Sequence, residues 1–96
     1  MIPMYIHLGS MDKALHDKIF LVVSFPFVPR INESIILSDS QKSHLLTLLH
    51  SNEVLYHISN NGNVQYWDDV IDDMGIVNEV AYDSSDGSIH ITINNE

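Results

Sequence analysis

The run Ile19 to Phe25 constrains the fold of this chain more than any other segment. It is rich in β-branched and aromatic residues, and Pro26 and Pro29 follow it, so a strand that stops there is favoured over a helix. An apolar side chain at nearly every position is typical of a strand that is covered on both faces. The sequence therefore predicts a strand buried between two layers. The apolar side chains occupy both parities of the run: Ile19, Leu21, Val23 and Phe25 on one, Phe20 and Val22 on the other.

The length and the absence of cysteine bound the architecture. A chain of 96 residues is predicted to form a single domain over residues 1–96. The lack of cysteine excludes a disulfide framework, a cysteine-ligated metal site and a cysteine nucleophile, and it favours a reducing cytoplasm. Residues 1–10 are predicted to be native sequence. The alternative is a terminal extension in which Gly9-Ser10-Met11 is a cloning junction and the native chain begins at Met11.

Neither targeting to a membrane nor secretion is expected from the sequence. The first ten residues contain no Lys or Arg and no small-residue cleavage site, which a signal peptide would have. The longest apolar run, Ile19 to Val28, is about half the ~20 residues that a membrane helix needs.

The charge of the chain is concentrated in its last third. The formal net charge is −9, and residues 60–96 contain eight acidic residues and no Lys or Arg. A surface of this sign repels a phosphate backbone, so nucleic acid is not an expected partner.

One helix is predicted, at residues 39–50. Ser38 and Gln41 have the spacing of a capping box, in which each side chain bonds the other residue's backbone N–H. Leucines at 45, 46, 48 and 49 supply an apolar stripe near the helical period. Asn52 is expected to end the helix, because asparagine tolerates the left-handed conformation.

Two β-hairpins are predicted after the helix. The first turns at Asn60-Asn61-Gly62, and its preferred register pairs Tyr56 with Tyr66, because that register collects apolar side chains on one face. A two-residue turn would instead pair Tyr56 with Trp67. The second hairpin joins strands around residues 76–82 and 89–93 through a turn at 83–87, and the alternation breaks at Asn78, which indicates a bulge or an edge.

These elements predict a mainly β (α+β) fold with five or six strands and the one inserted helix. The expected architecture is a small, strongly bent antiparallel sheet or an SH3-like barrel, since closure removes exposed strand edges. Three segments, 27–37, 75–83 and 88–93, contain a PR-x-x-E-x-I entry, a V-x-x-V-x-Y run and a final apolar strand. Over about 30 residues this pattern resembles small uncharacterised bacterial and phage proteins. The resemblance implies an SH3-like barrel and no activity.

The acidic segment at 68–73 is the first candidate for a functional site. Asp68 and Asp72, like Asp69 and Asp73, would lie four residues apart on a helical turn, where carboxylate oxygens suit Ca²⁺ or Mg²⁺. A solubilising loop is the favoured interpretation, since like charges at this spacing repel. No cofactor is expected.

The six histidines are interpreted as scattered surface residues. They stand at 7, 16, 44, 50, 57 and 90, and no pair has the helical spacing of a zinc site. Strand parity places His57 and His90 on outward faces.

Aromatic residues supply the remaining candidates. Tyr56 and Tyr66 are expected in the core, while Trp67 has the opposite parity and precedes Asp68 and Asp69, so it is the predicted interface residue. Phe27, beside a proline-rich turn, is a second partner-binding candidate.

The favoured function is a non-enzymatic protein-interaction module, since the sequence contains no nucleophile elbow or phosphate-binding loop. The module would bind a protein partner or a second copy of itself. The alternatives are an acidic mimic of nucleic acid that inhibits an enzyme, and a divalent-metal protein built on Asp68, Asp69, Asp72 and Asp73.

Overall fold

The computed structural model describes residues 1–9, 11–59 and 61–95. Ser10, in the junction alternative, and Asn60, in the first predicted turn, lie outside these ranges. The strands are β1 (Ile2–Leu8), β2 (Phe20–Phe25), β3 (Tyr56–Ile58), β4 (Val64–Tyr66), β5 (Ile76–Tyr82) and β6 (Ile89–Asn94). The helices are α1 (Lys13–His16), α2 (Asp39–Ser51) and α3 (Trp67–Val70), and α3 continues into a 3₁₀ turn at Ile71–Asp73.

The main sheet is mixed and open. Its strand order is β2-β1-β6-β5, with β1 and β6 parallel and the two outer pairs antiparallel; β3 and β4 form a separate antiparallel pair. The expected α+β class is confirmed. The expectation of a purely antiparallel sheet or a closed barrel is wrong: β2 and β5 are the edges of the sheet, and the described residues contain no closed barrel.

The first strand is one of the two inner strands of the sheet. Met4, Ile6 and Leu8 have no exposed surface and belong to the core. Alternation places these three side chains on the face that packs against the helices. The buried core comprises Met4, Ile6, Leu8, Ile19, Leu21, Ile35, Leu37, Leu45, Leu49, Trp67, Val70, Ile71, Met74, Val77, Ile91 and Ile93.

The apolar strand β2 is an edge strand. Leu21 is buried, whereas Val22, on the opposite parity, is 60% exposed. The prediction that this strand is covered on both faces is therefore wrong. Phe20 and Val22 lie on the face of the sheet opposite to that of Leu21. On this face the rings of Tyr5 and Phe20 meet edge to face, with centroids 5.3 Å apart.

Helix α2 begins where the sequence predicts. The Ser38 hydroxyl accepts from the Gln41 amide, and the Ser38 amide donates to Gln41 Oε1 at 2.9 Å, which confirms the capping box. The left-handed residue after the helix is Glu53, with φ of 59°, rather than Asn52. In the described part of the chain, no helix has the length and hydropathy to cross a membrane.

The first hairpin has the predicted register, and the second is formed by the predicted pair of strands. Tyr56 pairs with Tyr66, and Gly62 has a positive φ of 81° in the turn. Strands β5 and β6 pair antiparallel with a register shift between Val77 and Glu79, which confirms the irregularity predicted at Asn78. Outside the named strands, Ser34 forms a single antiparallel bridge with Ile76.

Gly75 is expected to tolerate no side chain. A Cβ atom there would lie 2.5 Å from the carbonyl oxygen of Ile35, whose amide also donates to the Gly75 carbonyl at 2.7 Å. Because both groups are backbone, Gly75→Ala must displace the bridged segment, and it should lower the free energy of unfolding by about 1–3 kcal/mol. Urea denaturation measures this loss. Gly9→Ala is the control: its Cβ would meet the Asn94 side chain, which can rotate away, so equal losses would contradict the expectation.

Candidate functional site

The hairpin of β3 and β4 presents an apolar face to solvent. Tyr56, Ile58, Val64 and Tyr66 form this surface, the hairpin face, and they are 52%, 61%, 60% and 54% exposed. The two tyrosine rings pack side by side, with centroids 4.9 Å apart, and Ile58 pairs with Val64. Single exposed apolar residues are ordinary, but a contiguous patch of four is typical of an interaction site.

The opposite parity of the hairpin faces the core. His57 is 3% exposed and meets the indole of Trp67 edge to face, with ring centroids 4.8 Å apart. The Trp67 amide donates to the Leu55 carbonyl at 3.0 Å, which joins the start of α3 to β3. Since neighbouring residues of a strand point to opposite faces, burial of His57 fixes Tyr56 and Ile58 outward.

These positions reverse the predicted roles of the aromatic residues. Trp67 is 2% exposed and belongs to the core, so the prediction that it lies at the surface is wrong. The expectation that Tyr56 and Tyr66 are core residues is also wrong. Alternation identified correctly which side chains share a face, but the choice of the buried face depends on α3, which turns Trp67 under the hairpin.

Aspartates border the hairpin face. Asp68 and Asp69 follow Trp67 in the first turn of α3 and are exposed. The pKa of the Tyr66 hydroxyl is raised above its usual value, first by its hydrogen bond to Tyr56 and also by the negative charge of Asp69. The Tyr66 phenol is therefore uncharged at neutral pH, and the face combines an apolar centre with an acidic border.

The aspartates of the acidic segment at 68–73 do not converge on one point. Asp68 Oδ1 lies 2.8 Å from His50 Nε2, and Asp72 Oδ1 lies 3.2 Å from Lys42 Nζ, so both carboxylates have partners on α2. Val70 and Ile71, between the two aspartate pairs, are buried. Over residues 1–9, 11–59 and 61–95, no three His, Asp or Glu side chains come together in an arrangement that could hold a metal ion.

Phe27 lies in a different part of the surface. It is 80% exposed and lines a shallow groove of about 220 Å³ with residues of its own connection, from Phe25 to Ser34. None of the described residues of the hairpin or of α3 lines this groove. Phe27 and the acidic candidates therefore do not line a common groove.

Three histidines meet on the face of the main sheet opposite to that of Met4, Ile6 and Leu8. His7 Nε2 lies 2.8 Å from His90 Nδ1, and His90 Nε2 lies 2.8 Å from the Ser88 hydroxyl. The His7 and His16 rings stack, with centroids 5.1 Å apart. The expectation of scattered surface histidines is wrong for His7 and for His57, which are both buried. No sequence spacing indicates this cluster, because pairing of β1 with β6 joins residues 83 positions apart.

The environment of His7 disfavours its charged form. Burial of its side chain, together with the neighbouring imidazoles of His16 and His90, lowers the pKa of His7 from 6.5 to about 4. His7 is therefore neutral near pH 7, and its hydrogen bond to His90 contains one N–H, carried by one of the two facing ring nitrogens.

Comparison of the chain with protein-family models, with curated proteins and with solved structures gives no match.

Proposed function

We propose that this chain is a non-enzymatic protein-interaction module that binds a protein partner through its hairpin face. The exposure of four adjoining apolar side chains on one two-stranded hairpin supports this proposal most directly. Covering such a patch gains roughly 25 cal/mol for each Å² of apolar surface removed from water. Tyrosine is also common among the residues that dominate binding free energies, because its ring supplies contact area and its hydroxyl a hydrogen bond.

The acidic border favours a partner with basic residues around an apolar surface. Asp69 is close enough to Tyr66 to influence the pKa of its hydroxyl, and no Lys or Arg occurs in residues 60–96. Opposite charges at the rim of an interface accelerate association and exclude partners of the wrong charge. A second copy of this chain would bring two acidic borders together, so a heterologous partner is the better fit.

A matched pair of isoleucine substitutions tests the proposal. Ile58→Ser removes an apolar group from the hairpin face, and Ile36→Ser removes the same group from a position that is 92% exposed elsewhere. Affinity capture from lysate of the source organism, with quantitative mass spectrometry, should recover a stoichiometric partner with the parent and with Ile36→Ser. We expect Ile58→Ser to retain no more than about one fifth of it, since a central contact contributes more than about 1 kcal/mol.

Any of three results would overturn the proposal. One is equal recovery of every partner by all three proteins. Another is recovery of no stoichiometric partner by the parent, and the third is association of the parent only with itself in sedimentation. Thermal unfolding of both variants must match the parent, so that a loss of binding is assigned to the surface.

The acidic third of the chain supports a second candidate, a mimic of nucleic acid that occupies a basic groove of an enzyme. Seven of its acidic residues are exposed: Asp68, Asp69, Asp72, Asp73, Glu79, Asp83 and Asp86. Asp68 and Asp72, however, are hydrogen-bonded or ion-paired within the chain. Binding by a mimic should weaken steeply between low and high salt, whereas binding through the hairpin face should largely persist.

The resemblance to small bacterial and phage proteins stays a prediction. The proposed function does not depend on it, because the resemblance covers none of the residues of the hairpin face.

A further inference from the structure

A groove separates the free edge of β2 from helix α2. Its volume is about 410 Å³, and its walls are formed by Lys18, Phe20, Leu21, Val22, His44 and Leu48. Strand residues 20–22 form one wall and the α2 residues His44 and Leu48 the other. The groove thus follows the first half of an edge strand.

The sequence of β2 lacks the residues that normally prevent strand addition. The strand pairs with β1 on one side and has no strand neighbour on the other within the described residues. Its sequence, FLVVSF, contains no charge and no proline, although proteins usually protect exposed edges with such residues. An edge of this kind can accept an extended segment through main-chain hydrogen bonds.

The charge of the groove differs from that of the molecule. Among the residues that the structure describes, Lys18 and His44 are the only ionisable ones lining the groove, and both are basic, in a chain with a net charge of −9. Lys18 stands two residues before the start of β2, at the end of the groove. A segment added antiparallel to β2 would run towards this lysine and would place its carboxyl end there, whereas a parallel segment would place its positively charged amino end there.

From this geometry we propose that the groove between β2 and α2 binds the extended carboxyl-terminal segment of a partner protein. The segment pairs antiparallel with β2, its terminal carboxylate lies against the Lys18 ammonium group, and apolar side chains enter the groove beside Leu21 and Leu48. This surface is separate from the hairpin face, so the two proposals can fail independently.

Peptide titration followed by amide NMR tests the proposal. The probe is a pool of hexapeptides with alternating Val and Thr, an apolar last residue and a free carboxyl terminus; the same pool with amidated termini is the matched control. The free-acid pool should shift the amide signals of residues 18–22, 44 and 48. Amidation, or Lys18→Gln, should weaken the affinity by about fivefold, as expected for one exposed ion pair. Lys13→Gln, which removes an exposed lysine outside the groove, should leave it unchanged.

Three outcomes would overturn the proposal. The first is the absence of shifts in β2 at about 2 mM peptide. The second is equal affinity of the free and amidated pools. The third is that an amidated pool with glutamate at its penultimate position binds as tightly as the free-acid pool. The groove would then recognise an acidic side chain rather than a terminal carboxylate. Ile58→Ser should bind the free-acid pool like the parent, which separates this result from the test of the hairpin face.

Discussion

Replacing Trp67 with alanine is expected to lower the free energy of unfolding by about 3–5 kcal/mol. Trp67 is the largest of the fully buried side chains, and it supports His57 from below the hairpin. Its removal leaves a cavity beneath β3 and takes away the contact that orients the hairpin face. Urea denaturation followed by far-UV circular dichroism measures the loss.

Tyr66→Ala is the control for this substitution. It removes the aromatic ring of the preceding residue, but that ring is 54% exposed, so the loss in stability should stay near 1 kcal/mol. Similar losses for Trp67→Ala and Tyr66→Ala would contradict the burial of the indole. Weaker binding of a partner by Trp67→Ala would follow from its loss of stability. Only Tyr66→Ala tests whether the hairpin face contacts the partner directly.

Acidification should destabilise the protein through His7. An unfolded histidine titrates near pH 6.5, whereas His7 in the folded protein has a pKa of about 4. Between these values the unfolded chain binds more protons, so its population rises as the pH falls. The stability that the neutral form provides is complete above pH 6.5, and about 2 kcal/mol of it should be lost between pH 7 and pH 5. Chemical denaturation at half-unit pH steps measures the slope.

His7→Phe should flatten this dependence, because it retains an aromatic ring beside His16 and removes the titrating group. The readout is the slope against pH and not the absolute stability, since the variant also leaves His90 Nδ1 without its hydrogen bond. The other charged groups that line the pocket beside His7 are Lys13, Asp17 and Glu79, and they are unchanged in the variant. His44→Phe, at an exposed histidine, should keep the parent slope. A parent slope in His7→Phe would contradict the assignment.

Local features of this fold could be predicted from the sequence, because each depends on residues that are close along the chain. The cap of α2 needs Ser38 and Gln41, and the register of the first hairpin needs only its turn and its alternation. The bulge in β5 likewise follows from Asn78 interrupting an apolar pattern.

Features set by distant contacts could not be predicted in this way. Parallel pairing of β1 with β6 places His7 beside His90, and no local pattern indicates it. Alternation grouped Tyr56 with Tyr66 correctly, but a three-residue strand does not show which of its faces meets the core. The apolar content of β2 predicted burial on both faces, whereas the structure places this strand at an edge of the sheet.

The position of the last strand has a consequence for synthesis of the protein. β6 lies between β1 and β5, and at least 60 residues separate the end of β2 from the start of β6. At roughly 5–20 residues per second, the hairpin of β1 and β2 waits several seconds for its inner neighbour. During this interval β1 is also an edge, with Ile6 and Leu8 uncovered. The nascent chain therefore passes through a period in which strands of different copies can pair, and factors that bind apolar strands on the ribosome should raise the yield of folded protein.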